Sequence, residues 1–451
     1  MPYENEFAQY KPLRRIVENE RVKNLLGSYK IQDSPEETNT LQIINTDELE
    51  RTDWSPDWIL AVDGSHAEVE VQNGYPGAEA SYVTVASVLI DLAKTRELDQ
   101  HRPVNPRDFR TIEQAESIDW ALPGCNVVYE GETSAQESFR RSVFELFSNF
   151  RMSENGETLL ETYEALLVYK PTTETQGCPY DDCPVKDGDY VRGRGCYNCR
   201  CSLKRKLYST DALRVHERMN PAGTNGAIFA EVMQVLERVW IIHILRTLEA
   251  HQWLSSLRKL AIVLDGPLAV FGQPAWISEA IYHELSRLNG VIQKVTGQDL
   301  LMIGIEKSGV FLDHLFQIDR YKDGQSGRYP TGGIALLTDD YIKRCIIFSN
   351  SDRPYGRQTY FGRKLLYKTR SGAMLVATLP FFSEEHKELQ TAKISQYPRL
   401  SDAVNLLDQL VSSRYPNALT PIVAAHAEAA IPLNLGKKVL EQLARELTGR
   451  S

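Results

Sequence analysis

A chain of 451 residues with 42% hydrophobic and 25% charged side chains has the composition of a soluble globular protein, which excludes a largely disordered chain. The sequence contains no apolar run of the roughly 20 residues that a membrane-spanning helix needs, and its first residues lack the apolar stretch of a secretory signal. We therefore expect a cytoplasmic protein with no membrane partner. A net charge of −9 excludes a protein that coats nucleic acid with its whole surface, but it permits a local basic channel.

The first half of the chain begins with a polar segment and continues with β-forming runs. Residues 1–55 favour helices and are predicted to form an N-terminal helical extension. An apolar run at Trp58–Val62 and a β-rich run at Ser81–Leu92 follow, and the short polar link between them predicts antiparallel neighbouring strands. Helical spacing covers Phe139–Phe150, and Ala165–Tyr169 is predicted as a further strand.

The second half alternates between helical and strand patterns after an interruption at residues 176–206, which we interpret as an insertion. The longest helical pattern covers about Ala227–Leu257. Strands are predicted at Leu260–Leu264, Leu301–Ile305, Cys345–Phe348 and Ala373–Leu379, and helices at Asp402–Ser412, Thr420–Ala430 and Gly436–Leu447. Strand pairs followed by alternating helices and strands predict an α/β fold, a mixed sheet with helices packed on it.

Two of the predicted strands end in Asp-Gly, at Asp63 and at Asp265. If these strands are neighbours, their ends place two carboxylates a few ångströms apart, and a divalent cation relieves the repulsion between them. Mg²⁺ and Mn²⁺ suit such a site because they prefer oxygen ligands and keep water for chemistry. The alternative is that each Asp-Gly marks an ordinary turn.

Four strings in a fixed order resemble the NurA nuclease domain family: AVDGSH, LAIVLDGPLAVFG, GIEKSG and YPNALTPIVAAHAEAAI. The resemblance covers roughly residues 57–432, so we predict a nuclease domain at 56–432 and a separate C-terminal helix at 433–451. It implies a ribonuclease-H-like core, cleavage of DNA with Mn²⁺ or Mg²⁺, a homodimer, and a HerA-like hexameric ATPase as partner. The cysteine-rich insertion falls outside the family pattern.

The resemblance also implies individual metal ligands. Asp63 matches the first-strand ligand and Asp265 the later-strand ligand. The family places a glutamate on the helix before the later strand, and Glu231, Glu237 and Glu249 compete for that role. We favour Glu237 because a charge on so apolar a stretch needs a reason. The alternative is a solvated residue paired with the neighbouring arginine.

Two further residues complete the predicted nuclease site. His426 matches the family's carboxy-terminal histidine, which implies a metal ligand or a proton shuttle to the leaving group. Lys307 matches a family lysine near the scissile phosphate and would offset transition-state charge. The alternatives are a helix-surface histidine and a plain strand-end lysine.

Five of the seven cysteines crowd into the insertion and predict a small zinc-ribbon-like module. The expected ligands are Cys178, Cys183, Cys196 and Cys199, with Cys201 as a possible substitute. Four thiolates leave no open position for water, so the Zn²⁺ would be structural. The alternatives are reduced thiols in a loop, or a redox switch. Nearby basic residues would contact DNA or a partner, or form a solvated loop: Arg192, Arg194, Arg200, Lys204, Arg205 and Lys206.

A basic and aromatic stripe is a candidate surface for single-stranded nucleic acid, because it mixes phosphate-binding and base-stacking side chains. Its basic members are Arg353, Arg357, Arg363, Lys364, Lys368 and Arg370, and its interleaved aromatic members are Tyr355, Tyr360, Phe361 and Tyr367. The alternative is that alternate positions of a strand face the core.

The leading functional hypothesis is a DNA nuclease that hydrolyses phosphodiester bonds by a two-metal mechanism, in DNA end processing or anti-phage defence. Two alternatives stay open: a non-catalytic adaptor of a HerA-like ATPase complex, and a nuclease of the same fold that acts on RNA. No G-x4-GK[ST] loop occurs in the chain, so any ATP dependence would come from a partner.

Overall fold

A nine-stranded mixed sheet organises residues 42–451, one of the two compact units into which the chain divides. The structure is a computed structural model. It describes residues 10–29, 41–72, 77–92, 113–171, 176–180, 182–184, 193–321, 324–411, 420–430 and 435–447.

The elements are numbered here in chain order. The strands are β1 (Ile43–Asn45), β2 (Trp58–Gln72), β3 (Ala78–Asp91), β4 (Glu113–Pro123), β5 (Cys196–Asn198), β6 (Lys206–Tyr208), β7 (Leu260–Asp265), β8 (Leu301–Glu306), β9 (Gly333–Leu336), β10 (Gly362–Lys368) and β11 (Met374–Pro380). The helices are α1 (Tyr10–Glu18), α2 (Glu20–Ser28), α3 (Ala135–Asn149), α4 (Leu159–Leu167), α5 (Gly226–Ala250), α6 (Ile277–Thr296), α7 (Val310–Ile318), α8 (Asp339–Tyr341), α9 (Leu400–Leu410), α10 (Thr420–Ala429) and α11 (Leu435–Leu447).

The large sheet has the strand order β1-β9-β10-β11-β8-β7-β2-β3-β4. Strand β7 lies parallel to both β2 and β8, and the other neighbouring strands are antiparallel. This confirms the predicted α/β class with a mixed sheet, and it confirms β2 and β3 as antiparallel neighbours. Strands β5 and β6 form a separate two-stranded sheet in the insertion.

Alternating side chains of the central strands build two hydrophobic cores, because successive residues of a strand point to opposite faces. Leu60 and Ile262 belong to the core that includes residues of α5 and α6. Ile59 and Val263 belong to the core that includes residues of α9 and α10. The central strands are thus covered on both faces, which positions residues at their ends rigidly.

Several element predictions are wrong in type or extent. Ala165–Tyr169 was predicted as a strand, but its first residues belong to α4 and the rest to a turn. In the stretch Cys345–Phe348, which was predicted as a strand, Cys345 and Ile346 end a helical segment that follows α8, and the other two residues are irregular. Short apolar runs do not distinguish a buried strand from a buried helix by periodicity, which explains both errors. The long helix α5 ends at Ala250, earlier than predicted, and a short 3₁₀ segment follows at Leu254–Lys259.

The other unit, Met1–Leu41, contains α1 and α2 in its described part. The side chain of Asn19 caps α2 by accepting the backbone N–H of Arg21 at 2.9 Å. Strand β1 lies in the last part of the predicted extension and pairs with β9 of the large sheet. Among the described residues, no helix is both long and apolar enough to cross a bilayer.

Candidate metal centre at the end of strand β7

The parallel pairing of β2 with β7 brings Asp63 and Asp265 to equivalent positions. The register pairs Val62 with Leu264, so each aspartate is the next residue along its strand. Strand β7 ends at Asp265, as predicted, but β2 continues through Gly64 to Gln72 and pairs with β3. The prediction that Asp63 ends its strand is therefore wrong. The two aspartates therefore meet where β7 ends in the middle of the sheet, next to β2, which continues as a strand.

His426 completes a cluster of three candidate ligands with these two carboxylates. One ligand atom from each of Asp63, Asp265 and His426 lies within 4.8 Å of the other two. Helix α10 carries His426 and packs against β2 and β3. The Nδ1 atom of His426 lies 2.8 Å from Oδ2 of Asp63. The Asp63 side chain is 7% exposed and that of His426 is 61% exposed, so the cluster opens to solvent on the histidine side.

The electrostatics of the cluster favour a bound cation. Burial raises the pKa of Asp63, and the negative charge of Asp265 raises it further. The hydrogen bond and charge of His426 and the N–H of Gly64 act in the opposite direction. Lys307 contacts the second carboxylate, with Nζ 2.7 Å from Oδ2 of Asp265. Two crowded carboxylates and an imidazole fit a divalent cation that accepts oxygen and nitrogen ligands.

Close backbone approaches hold the loop after Asp265 in place. Gly266 has a positive φ of +84°, which favours glycine, and its N–H donates to the carbonyl of Ile305 at 2.7 Å. A Cβ atom on Gly304 would lie 2.7 Å from the carbonyl oxygen of Gly266. Glycine at both positions therefore lets the loop pack on β8, which orients Asp265 towards Lys307.

Glu237, which was predicted as a further metal ligand, lies on the other face of β2 and is not part of the group formed by Asp63, Asp265 and His426. A Cβ atom on Gly64 would lie 2.5 Å from Oε1 of Glu237, so this carboxylate packs against the backbone next to Asp63. Of the competing glutamates, Glu231 pairs with Arg218 and Glu249 with Arg287. Glu237 is 4% exposed, so the alternative is wrong about solvation, but it is right that Glu237 pairs with the neighbouring arginine, Arg238.

Arg238 is a residue of this region that the sequence reasoning did not include in the site. Its guanidinium pairs with Glu237 and also donates to the carbonyl of Pro267 at 3.1 Å, in the loop after Asp265. Burial lowers the pKa of Arg238 to about 10, and the charges of Asp265 and Asp63 act to raise it, so the side chain is charged at neutral pH. The signal in the sequence was a Glu-Arg pair within an otherwise apolar helix.

Three of the six basic residues of the predicted stripe are buried, so the interpretation as a DNA surface is wrong for these three, and they fit the alternative of strand positions that face the core. Arg363 is 1% exposed, and its guanidinium donates to three backbone carbonyls. Lys364 and Lys368 are buried in ion pairs with Glu306 and Asp319. The physical reason is that β10, which carries all three, is an interior strand between β9 and β11.

The other three basic residues of the stripe are exposed, as are most described basic residues of the insertion. Arg353 and Arg357 lie in the loop before β10, and Arg370 follows it and pairs with Asp47. In the insertion, Arg205 is half-buried and pairs with Asp182. The exposed ones are Arg194, Arg200, Lys204 and Lys206, while Arg192 lies outside the described residues.

The cysteines of the insertion form a second cluster. The sulfurs of Cys178, Cys183 and Cys199 lie within 4.8 Å of one another, and those of Cys183 and Cys199 are 3.6 Å apart. The backbone N–H of Cys201 donates to the sulfur of Cys199 at 3.5 Å, although the Cys201 sulfur is not part of the group of three. Cys196 is exposed on β5. The structure thus brings three of the four predicted ligands together, with Cys201 beside them.

The mixed sheet and the acidic cluster at its edge define an α/β protein with a candidate divalent-metal centre. The family model of the NurA domain matches residues 58–431, well over half of the chain. The chain therefore belongs to the NurA domain family.

Two solved structures are similar to this chain at low identity. One is the NurA nuclease from Sulfolobus solfataricus, at 10% identity and a TM-score of 0.36, with 98% of this chain and 99% of that chain covered. The other is a structure of NurA, at 11% identity and a TM-score of 0.26, with the same coverage. No curated protein matches this sequence.

Proposed function

We propose that this protein is a divalent-metal-dependent DNA nuclease that hydrolyses phosphodiester bonds at the cluster of Asp63, Asp265 and His426. The observation that carries the proposal is the convergence of these three side chains on one edge of the sheet in a member of the NurA domain family. Lys307 adds a cation at the same edge. Phosphodiester hydrolysis needs this combination, because a phosphate must be held while water is activated beside it.

We propose further that the block β4-β3-β2-β7-β8 is a ribonuclease-H-like core. Three antiparallel strands are followed in this block by two that run parallel to β2. Asp63 lies on its central strand and Asp265 on the neighbouring one. That placement supports the proposal, because it sets both carboxylates on the same rigid edge.

Each side chain of the site has a distinct proposed task. Mn²⁺ or Mg²⁺ bound by Asp63 and Asp265 would supply a bound water of lowered pKa and would neutralise phosphate charge in a two-metal arrangement. Glu237 would act from the other face of β2, through the backbone beside Asp63, rather than as one of the clustered ligands. His426, hydrogen bonded to Asp63 and open to solvent, binds a metal or transfers a proton to the leaving oxygen. The ammonium group of Lys307, which donates to Asp265 in this structure, would donate to a phosphate oxygen when substrate is bound.

The proposal is tested by degradation of labelled linear single- and double-stranded DNA with Mn²⁺, with Mg²⁺ and with EDTA. Wild type should cut only with a metal ion, and Asp63→Ala and Asp265→Ala should each lose cutting. Asp119→Asn is a matched control, because this strand carboxylate contacts Thr84 and Ser117 rather than the cluster. An RNA substrate tests the alternative of an RNA-directed nuclease.

The partner proposed for this activity is a HerA-like hexameric ATPase, which would feed DNA to a homodimer of this chain in DNA end processing or anti-phage defence. Each assay is therefore repeated with the cognate ATPase. If wild type with the ATPase cuts neither DNA nor RNA but co-purifies with it, the adaptor function replaces the nuclease. We also propose a structural Zn²⁺ in the cysteine-rich insertion, which takes no part in the reaction.

A further inference from the structure

We infer that the insertion binds one Zn²⁺ through Cys178, Cys183, Cys199 and Cys201, and that Cys196 is not a ligand. This inference deepens the structural role of zinc proposed above and does not depend on nuclease activity. It replaces the C-x2-C pair that the sequence suggested, Cys196 and Cys199, by the C-x-C pair Cys199 and Cys201.

The spacing of the sulfurs fits tetrahedral thiolate coordination. With Zn–S bonds of about 2.3 Å, the sulfurs of a tetrahedral site are about 3.8 Å apart. The sulfurs of Cys183 and Cys199 are 3.6 Å apart, and Cys178 completes a triangle whose sulfurs all lie within 4.8 Å. A disulfide is excluded at this separation, because its sulfurs would be about 2.0 Å apart.

Cys201 is the fourth ligand because it lies next to Cys199 and is buried. Its backbone N–H donates to the sulfur of Cys199 at 3.5 Å, which places Cys201 directly beside the three clustered sulfurs. Such an N–H stabilises a metal-bound thiolate, which carries negative charge. Cys183, Cys199 and Cys201 are at most 3% exposed. A site formed by these buried sulfurs is closed to water, as a structural zinc site requires.

The backbone explains why Cys196 lies apart. Cys196 and Asn198 are exposed on β5, with the intervening Tyr197 half-buried, so Cys196 points away from the side on which Cys199 is buried. The chain then turns, with the N–H of Cys199 donating to the carbonyl of Arg205 at 2.8 Å. This turn keeps Cys201 on the side of Cys199.

The cysteine site joins the insertion to the nuclease core. Cys183 and Cys199 belong to the same hydrophobic core as α3 and α5. Between the insertion and α3, the buried guanidinium of Arg140 lies 4.7 Å from the ring centre of Tyr180 and pairs with Asp211. Tyr180 is two residues from Cys178, so zinc would hold the ring that covers Arg140. Loss of zinc should therefore loosen the insertion and leave the large sheet intact.

The test is the zinc content of purified full-length protein, measured by mass spectrometry after preparation under reducing conditions. Wild type and Cys196→Ser should each carry one zinc per chain. The zinc content of Cys201→Ser should be at least about tenfold lower than that of wild type, because a missing thiolate opens the coordination shell. Limited proteolysis of Cys201→Ser should cut within residues 176–208 and spare the rest.

X-ray absorption of the wild-type zinc provides a readout that does not depend on the folding of a variant, and four sulfur neighbours are expected. The ligand assignment is overturned if Cys196→Ser loses zinc and Cys201→Ser retains it. A wild-type protein without zinc, or with oxygen or nitrogen in the first shell, overturns the four-thiolate site itself. None of these outcomes bears on the nuclease assay, so the two proposals fail separately.

Discussion

The two candidate metal sites solve the same charge problem in opposite ways. At the edge of the sheet, each carboxylate already has a cationic or donor partner: Asp63 has His426, Asp265 has Lys307 and Glu237 has Arg238. In the insertion, the sulfurs of Cys183 and Cys199 contact each other, and burial raises the pKa of the Cys178 and Cys199 thiols, so these two thiols are neutral and need no counter-charge. A metal ion entering the first site competes with resident cations, whereas one entering the second displaces only protons.

Exposure separates the two sites further. The histidine of the acidic cluster is 61% exposed and the Asp265 side chain 24% exposed, so a substrate phosphate can reach them. The clustered thiols of Cys183, Cys199 and Cys201 are buried. An open site with oxygen ligands suits exchange and catalysis, and a closed site with sulfur ligands suits a permanent structural ion. The two proposals thus assign catalytic and structural metal binding to different donor atoms of the same chain.

The largest expected effect is on DNA cleavage, from a mutation that changes the acidic site and leaves the cysteine site unchanged. Asp63→Asn should lower DNA cleavage by more than about a hundredfold, because even residues that only orient a metal ligand are worth ten- to a hundredfold. Its zinc content should equal that of wild type. Cleavage rates and metal content are measured on the same preparations. A loss of zinc in Asp63→Asn would show that the sites are coupled and would break the comparison.

The central strands were predictable because their apolar runs are short and are followed by glycine-containing sequences, although β2 continues past Gly64 as a strand. Trp58–Val62, Leu260–Leu264 and Leu301–Ile305 all fall within observed strands. Strand β9 was missed, and a strand at β10 was considered only as the alternative for the basic stripe. Their membership depends on neighbours distant in sequence, such as the pairing of Tyr367 with Ile334, which a local pattern does not contain.

The convergence of Asp63, Asp265 and His426 followed from the family resemblance rather than from periodicity. What the sequence could not supply was the environment of individual side chains. Arg363 has the local context of a surface residue, yet tertiary packing places it in the core. Cys196 has better zinc-ribbon spacing than Cys201, but strand alternation turns it outwards. The burial of Arg363 is decided by packing partners remote in the chain, and the exposure of Cys196 by its position on β5.

Metal binding at the acidic site should be sensitive to mild acid. The pKa of Asp63 is raised by burial and by Asp265, and only the ionised carboxylate binds a cation. Mn²⁺ affinity should therefore fall about tenfold for each pH unit below that raised pKa, beginning at a higher pH than for an ordinary aspartate. Calorimetric titration with Mn²⁺ at several pH values measures this. His426→Gln should move the fall to still higher pH, since the imidazole lowers the Asp63 pKa; no movement would contradict the proposed pairing.

Removing the buried resident cation should tighten metal binding. Arg238→Met leaves the Glu237 carboxylate and the two aspartates without the guanidinium, so the apparent Mn²⁺ affinity should rise about tenfold, equivalent to about 1.4 kcal/mol. Arg287→Met is the matched control, because it removes an arginine from an ion pair with Glu249 outside the site. Circular dichroism verifies folding of both. Unchanged affinity in folded Arg238→Met would show that Arg238 only supports the loop at Pro267.

The smallest effect is expected at Lys307, and it tests whether the acidic site shares its cations between ligands and substrate. The Lys307 side chain is 31% exposed, so its pairing with Asp265 is screened by solvent and salt. Lys307→Met should therefore raise Mn²⁺ affinity by only about threefold at low salt, less than Arg238→Met does. Its cleavage rate should nevertheless fall, because the same ammonium is lost from the phosphate. Tighter metal binding with slower cleavage would mark a cation that leaves Asp265 for the substrate, whereas a parallel loss of both would assign Lys307 to the metal site alone.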